Sequence, residues 1–510
     1  MFRSLRANRR TGGALDIMKL FVRKPIDVLL AQANEEGDHV LKRGLGAGSL
    51  TLLGIGGVIG AGIFVLTGQQ AAVNAGPAIV LSFILAGLVC ALAAMCYAEL
   101  ASMIPVSGSA YTYTYATLGE FIAWLIAWDL ILEYGLAAAT VAAGWSGHFR
   151  DMLEGFGMTI PHAWSAAPFT FEGGKLIETG AYLNLPAVII VLLMGWVLIT
   201  GITQSAVVNN TIVSLKMLIV IAVIGFGFAY VNPEFWHPLI PARIEPTAAD
   251  PHGHYGLPGI LTAAGVIFFA YIGFEAVSTA AQEAKNPQRN MPIGILASLG
   301  ICTVLYILMA LVITGLAPYS TLNNDAPVAR ALASVPQLQW LRQLVNVGVA
   351  VGLGSTILSL LYGQSRIFYA MSRDGLLPPM FSKVNPKTRT PIWGTVITAV
   401  AAGAVGGLFP ISVLGELVSM GTLLAFALIC GGVLWLRIKE PNLPRSFKTP
   451  LVWVTAPLGA AGCLFLISGL PAPTWGRLLI WMAIGLVVYF AYAYGHSRQH
   501  EAKQAAAPAE

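Results

Sequence analysis

Apolar residues fall in long blocks along this chain, and the polar residues between them come in short bursts. A helix that crosses a bilayer needs ~20 consecutive, mostly apolar residues. About twelve blocks meet that length, near 48–72, 77–103, 118–148, 183–201, 209–231, 257–283, 292–316, 343–371, 391–409, 412–437, 450–470 and 475–495. The pattern predicts an all-α integral membrane protein of about twelve transmembrane helices. The first block differs from the rest. Residues 54–64 read Gly-Ile-Gly-Gly-Val-Ile-Gly-Ala-Gly-Ile-Phe, five glycines in eleven positions. Each glycine inside a helix costs roughly 1 kcal/mol against alanine. Irregular backbone at membrane depth survives only where it is packed in protein or lines a cavity. A break here sets bare N–H and C=O groups before something polar, and we expect the substrate to be that partner.

Composition agrees with the pattern. The chain has 510 residues, 56% hydrophobic and 10% charged, with a mean hydropathy of +0.73. A soluble domain carries about 25% charged residues, so this chain cannot clothe itself in polar surface. The net charge of +5 follows topology and is no nucleic-acid signal. Cytoplasmic loops collect lysine and arginine. An even number of crossings puts both termini on one side. That side holds 22 of the 29 basic residues, the other side holds 6, and Lys216 lies within a block. Both termini are therefore expected in the cytoplasm. The segment 1–47 is basic and has no uninterrupted apolar core, so it is not a secretory signal. Within it, 17–30 suits either a surface amphipathic helix or a disordered lead. The tail 496–510 is polar and Ala-rich, and expected to be disordered. Five cysteines lie in apolar blocks without metal-ligand spacing and are expected as buried hydrophobes without disulfides. The eight histidines fall in loops, tails or block ends. No Walker-type loop is present, which excludes ATP as the energy source, and no catalytic constellation argues for an enzyme.

The sixth block contains Phe-Phe-Ala-Tyr-Ile-Gly-Phe at 268–274, a second expected interruption. Gly273 alone reads as a helix-packing position. Blocks one to five (48–231) and six to ten (257–437) each begin with an interrupted helix, and 450–495 adds two more. An odd number of crossings per unit inserts the units with opposite orientation. Inverted repeats with discontinuous leading helices mark secondary transporters, with substrate at the midplane.

Several ionisable residues sit within blocks. Lys216 is the only basic one deep inside. A charge at the bilayer centre costs ~2.5–3.5 kcal/mol even on insertion scales, which makes it a functional candidate. Desolvation favours the neutral form of a lysine, so proton exchange is open to it. Asp129 and Glu133 are four apart and share a helix face. Glu275 follows the second interruption and is a candidate proton sensor. Glu99 and Glu120 lie near block ends, where solvated or capping carboxylates are expected, and Glu416 is expected at an interface.

Six segments together resemble the amino acid–polyamine–organocation transporter superfamily, in particular bacterial relatives of the cationic amino acid transporters. They are GIGGVIGAGIFVLTG (54–68), PVSGSAYTY (105–113), WDLILEY (128–134), FFAYIGFEAVSTAA (268–281), NPQRNMPI (286–293) and SRDGLLP (372–378). The resemblance covers roughly 15–495 and implies the LeuT-like five-plus-five inverted repeat with discontinuous first and sixth helices. It places the substrate carboxylate on the amides of Gly60, Ala61 and Gly62, at a helix N-terminus suited to anions. The ammonium falls to carbonyls of Val58 or Ile59 and of Phe269, Ala270 and Ile272. By the same resemblance Phe269 is an aromatic gate, and Glu133 matches an acidic position near the site. Lys216 stands where proton-coupled relatives carry a lysine in place of sodium. Leu360 aligns with a pocket-lining position, where a bulky apolar side chain favours small neutral substrates over arginine or lysine. The expectation is proton-coupled import of small neutral L-amino acids across a bacterial inner membrane, with lipids around the protein, no nucleic-acid partner and no cofactor beyond the proton. Exchange without net proton movement, including exchange of cationic amino acids or polyamines, and a non-transporting amino-acid sensor are the alternatives.

Overall fold

A computed structural model describes residues 20–25, 29, 44–106, 108–172, 175–200, 206–245, 254–385, 388 and 390–497. The tail from 498 and half of 17–30 lie outside the described residues. The fold is helical apart from a short hairpin, in which β1 (Phe169–Glu172) pairs antiparallel with β2 (Lys175–Glu178).

The helices follow the apolar blocks. They are α1 (Ala47–Val58), α2 (Thr67–Gln70), α3 (Ile79–Met103), α4 (Ser109–Thr117), α5 (Glu120–Gly155), α6 (Leu185–Thr200), α7 (Ala206–Phe228) and α8 (Gly256–Ile267). Then come α9 (Pro287–Leu316), α10 (Pro327–Ala333), α11 (Gln339–Arg373), α12 (Ile392–Leu408), α13 (Ile411–Lys439), α14 (Val452–Ser468) and α15 (Ala472–Val488). Among the described residues, eight helical stretches are long and apolar enough to cross a membrane: Gly62–Met103, Glu120–Gly155, Asn210–Phe228, Gly256–Ala281, Pro287–Leu316, Pro336–Arg373, Ile411–Lys439 and Ala472–Ser497. Four shorter apolar helices, α1, α6, α12 and α14, complete the set. The chain is a multi-pass membrane protein.

Two stretches are broken. After α1, Ile59 turns extended with ψ 91°. The helix resumes through a wide turn at Gly62–Leu66, and another at Ala71–Ala75, before α3. The second break follows α8. A tight turn at Phe268–Tyr271 ends at Ile272, extended with ψ 134°, and the chain then continues as the tight helix Glu275–Glu283. Gly273 has φ +122°, a conformation costly for any residue with a Cβ. A side chain there would also fall on the backbone of Gly57. Gly273 is thus more than the packing position expected from sequence: it permits the break and the close approach together. Gly62 meets Ala270 in the same way, so the two breaks face each other.

Around them, α9 packs on α1 and α3, α11 on α5 and α7, α12 on α6, and α13 on α5 and α14. Three sequence expectations need correction. Glu99 is not a solvated carboxylate. It is 1% exposed and held by Arg437, Arg445 and the Thr449 amide. Glu120 is also fully buried, and accepts from Tyr115, Tyr489 and Ser497. His148 lies inside α5, which runs on to Gly155, and is buried against Asn346. In each case a later element covers what local sequence leaves at a helix end.

Candidate functional site

The site forms where the two breaks meet α5, α9 and α11. A cavity of about 10 Å³ lies there, lined by Gly57, Val58, Gly60 and Gly62 from the first break and by Phe269 and Ile272 from the second. Ala137 and Val141 of α5 and Thr356 and Leu360 of α11 close it. Each pair is four residues apart, so each presents one helix face. The volume admits no more than one water, and an amino acid fits only if the walls part. Apart from Thr356, every lining side chain is apolar or absent.

The freed carbonyls of the first break accept from Lys216, Thr356 and Tyr306. Lys216 of α7, 2% exposed, donates to Gly56 O at 3.0 Å, Ile59 O at 3.1 Å and Thr356 Oγ1 at 2.8 Å. An ammonium has three N–H donors, and this arrangement uses all of them. Tyr306 of α9 points its hydroxyl at Val58 O, 2.6 Å away, and at Ala270 O, 2.7 Å away. In the second break, Ser419 of α13 accepts from Phe269 N at 3.0 Å and donates to Val266 O at 2.9 Å. Glu275 accepts from Gly273 N at 2.8 Å and so supports the break from within it. The amides of Gly60, Ala61 and Gly62 open the resumed helix, where a helix start leaves N–H groups without intrahelical partners.

The structure therefore brings together most of the residues singled out from sequence. Val58, Gly60, Gly62, Phe269, Ile272 and Leu360 line the cavity. Ile59, Ala61 and Ala270 belong to the breaks just behind it. Glu133 is outside the lining. It lies one turn before Ala137 on α5 and is 1% exposed. Asp129, another turn away, is buried likewise. Sequence reasoning missed Ala137, Val141, Thr356, Tyr306 and Ser419. The first three were within reach, since they continue by fours the faces that Glu133 and Leu360 define. Tyr306 and Ser419 are isolated polar residues in apolar helices, and nothing local sets them apart.

A model of the amino acid permease family matches residues 45–493. The methylthioribose transporter of Bacillus subtilis (strain 168) is 46% identical over 94% of this chain and 98% of its own. The branched-chain amino acid permease BcaP of the same organism is 45% identical over 94% and 99%. The vacuolar cationic amino acid transporter 4 of Arabidopsis thaliana is 36% identical over 82% of this chain and 67% of its own. A match of that extent, joined to two facing breaks in apolar helices, shows that this chain belongs to the amino acid permease family of membrane transporters.

Proposed function

We propose that the protein imports small neutral L-amino acids, coupled to protons, by alternating access. The observation that carries this reading is the pairing of two broken helices across a small apolar cavity, with Lys216 bonded to the first of them. Helix-start amides at Gly60, Ala61 and Gly62 would take the carboxylate. Carbonyls of Val58, Ile59, Phe269, Ala270 and Ile272 would take the ammonium, and Phe269 would close over it. The side chain would lie against Ala137, Val141, Ile272 and Leu360, with no fixed charge to attract arginine or lysine.

Lys216 would be the coupling group, with Glu275 and Glu133 as further proton-linked candidates. Its three bonds need the protonated form, and proton loss removes a donor that holds α1 to α7 and α11. One charge entering across 100 mV contributes ~2.3 kcal/mol, enough for a roughly fifty-fold substrate gradient. The eight long and four short apolar helices suit twelve crossings, with repeats at 48–231 and 257–437 related by inversion and two added crossings at 450–495. Both termini would be cytoplasmic, in a bacterial cell membrane.

The test is uptake of radiolabelled L-valine into proteoliposomes with and without an imposed proton gradient. Accumulation with the gradient and none without it supports symport. Movement only when the vesicles are preloaded with amino acid overturns symport in favour of exchange. A second reading, transport of a neutral methylthio sugar, rests on the 46% identical relative that bears that name. Such a sugar has no carboxylate for the helix-start amides, which favours the amino acid; competition of methylthioribose against valine separates the two.

A further inference from the structure

We propose that the Tyr306 hydroxyl is a built-in stand-in for the substrate's ammonium, holding the carbonyls of both broken helices together while no amino group does. This rests on the reading that an amino acid binds between the breaks. Tyr306 is fully buried on α9. Its ring is held by Phe83 and Tyr271, with centroids 5.5 and 5.4 Å away. That packing fixes the hydroxyl between Val58 O of the first break and Ala270 O of the second. A phenol carries one proton and donates to one acceptor at a time. Two carbonyls within 2.7 Å therefore share one hydrogen, and whichever lacks it faces an oxygen lone pair.

A primary ammonium brings three N–H donors and satisfies both carbonyls at once. The hydroxyl and the ammonium compete for the same two acceptors, and the ammonium fills them better. The tyrosine is thus a partner good enough to hold the breaks closed and poor enough to be displaced. Its place in the cycle follows. The loaded carrier moves with the carbonyls on the substrate, and the unloaded carrier returns with them on Tyr306. The device selects for amino groups that keep several N–H donors, so N-methylation of the substrate should weaken binding.

The experiment uses the full chain in proteoliposomes, as wild type and as Tyr306→Phe, which keeps the ring and removes the hydroxyl. Two fluxes of radiolabelled L-valine are compared: net uptake into vesicles free of amino acid, and exchange into vesicles preloaded with valine. Net uptake requires the unloaded return, and exchange does not. Loss of one hydrogen bond is worth about 1 kcal/mol, so net uptake should fall by roughly fivefold while exchange stays within about twofold. The half-saturating valine concentration for exchange should also drop, since a competitor is gone. A parallel fall in both fluxes would assign Tyr306 a structural role and overturn the proposal, as would no change in either. If Tyr306→Phe fails to reach the membrane, Tyr306→Leu is held to the same split. A wild type that moves no amino acid in either mode overturns the underlying reading, a result distinct from an unsplit Tyr306→Phe.

Discussion

A single lysine carries the largest expectation at the level of residues. Lys216 holds Gly56, Ile59 and Thr356 through three hydrogen bonds, so its side chain fastens α7 to the break in the first helix and to α11. Lys216→Ala removes the proposed coupling group. The variant should still insert, lose gradient-driven valine uptake by about tenfold or more, and keep exchange, as loss of a charged hydrogen-bond set predicts. Normal accumulation in proteoliposomes would remove Lys216 from the coupling step. Leu360 poses a question of specificity. It caps the apolar wall opposite the breaks, and Leu360→Ser should widen the range of inhibitors of valine uptake toward larger or cationic amino acids. An unchanged inhibition profile would free Leu360 of that role. Gly273 is constrained twice, by φ +122° and by contact with Gly57. Gly273→Ala should cost about 1–3 kcal/mol of strain and lower the thermal midpoint in detergent; a midpoint equal to wild type would show that the break relaxes freely.

Elements depend on clamps that local sequence conceals. The carboxylate of Glu99 near the end of α3 binds Arg437 of α13, Arg445 beyond it and the Thr449 amide before α14. Glu99 and Arg445 have side chains only 2% and 1% exposed. Removing one partner of a buried pair leaves a charge uncompensated, at about 3–5 kcal/mol. Glu99→Gln should therefore lower the thermal midpoint markedly, and Arg445 should account for more of the loss than Arg437, which is 17% exposed. Equal midpoints for Glu99→Gln and wild type would show that the cluster contributes nothing net. The same contrast explains what was legible beforehand. Apolar runs, glycine clusters and basic loops are local signals, and they located nearly every helix, both breaks and Lys216. Glu99 looked like a helix-end carboxylate because its partners come more than 330 residues later. Tyr306 and Ser419 escaped for the same reason, since their value lies in carbonyls on other helices. Glu133 was legible as a buried acid, while its place one turn outside the cavity depended on how Ala137 and Val141 pack.

Ion pairs pin both ends of the whole molecule while its middle is closed. At one end, the segment 20–25 lies along the start of α5, where Glu120 N donates to Val22 O, and Lys24 reaches Asp374 at 3.0 Å. Tyr111 donates to the same aspartate at 2.6 Å. Thirty residues along α5, roughly 45 Å at 1.5 Å per residue, Arg150 pairs with Asp325 at 2.7 Å and Arg342 with Asp151. A polar cavity of about 310 Å³ opens among these groups. Under the proposed alternating access, each side would open by parting one of these clusters. The proposed cytoplasmic termini would put the Lys24 end on the cytoplasmic side. All five native cysteines are buried and unpaired, so introduced ones can be read against a low background. Lys383, exposed beyond α11, shares the end of Asp374, and Ser334, exposed after α10, shares the opposite end. A membrane-impermeant maleimide applied to intact cells should label Ser334→Cys at once. Lys383→Cys should react only after the cells are opened. The reverse pattern would invert the topology and put the 310 Å³ cavity inside the cell.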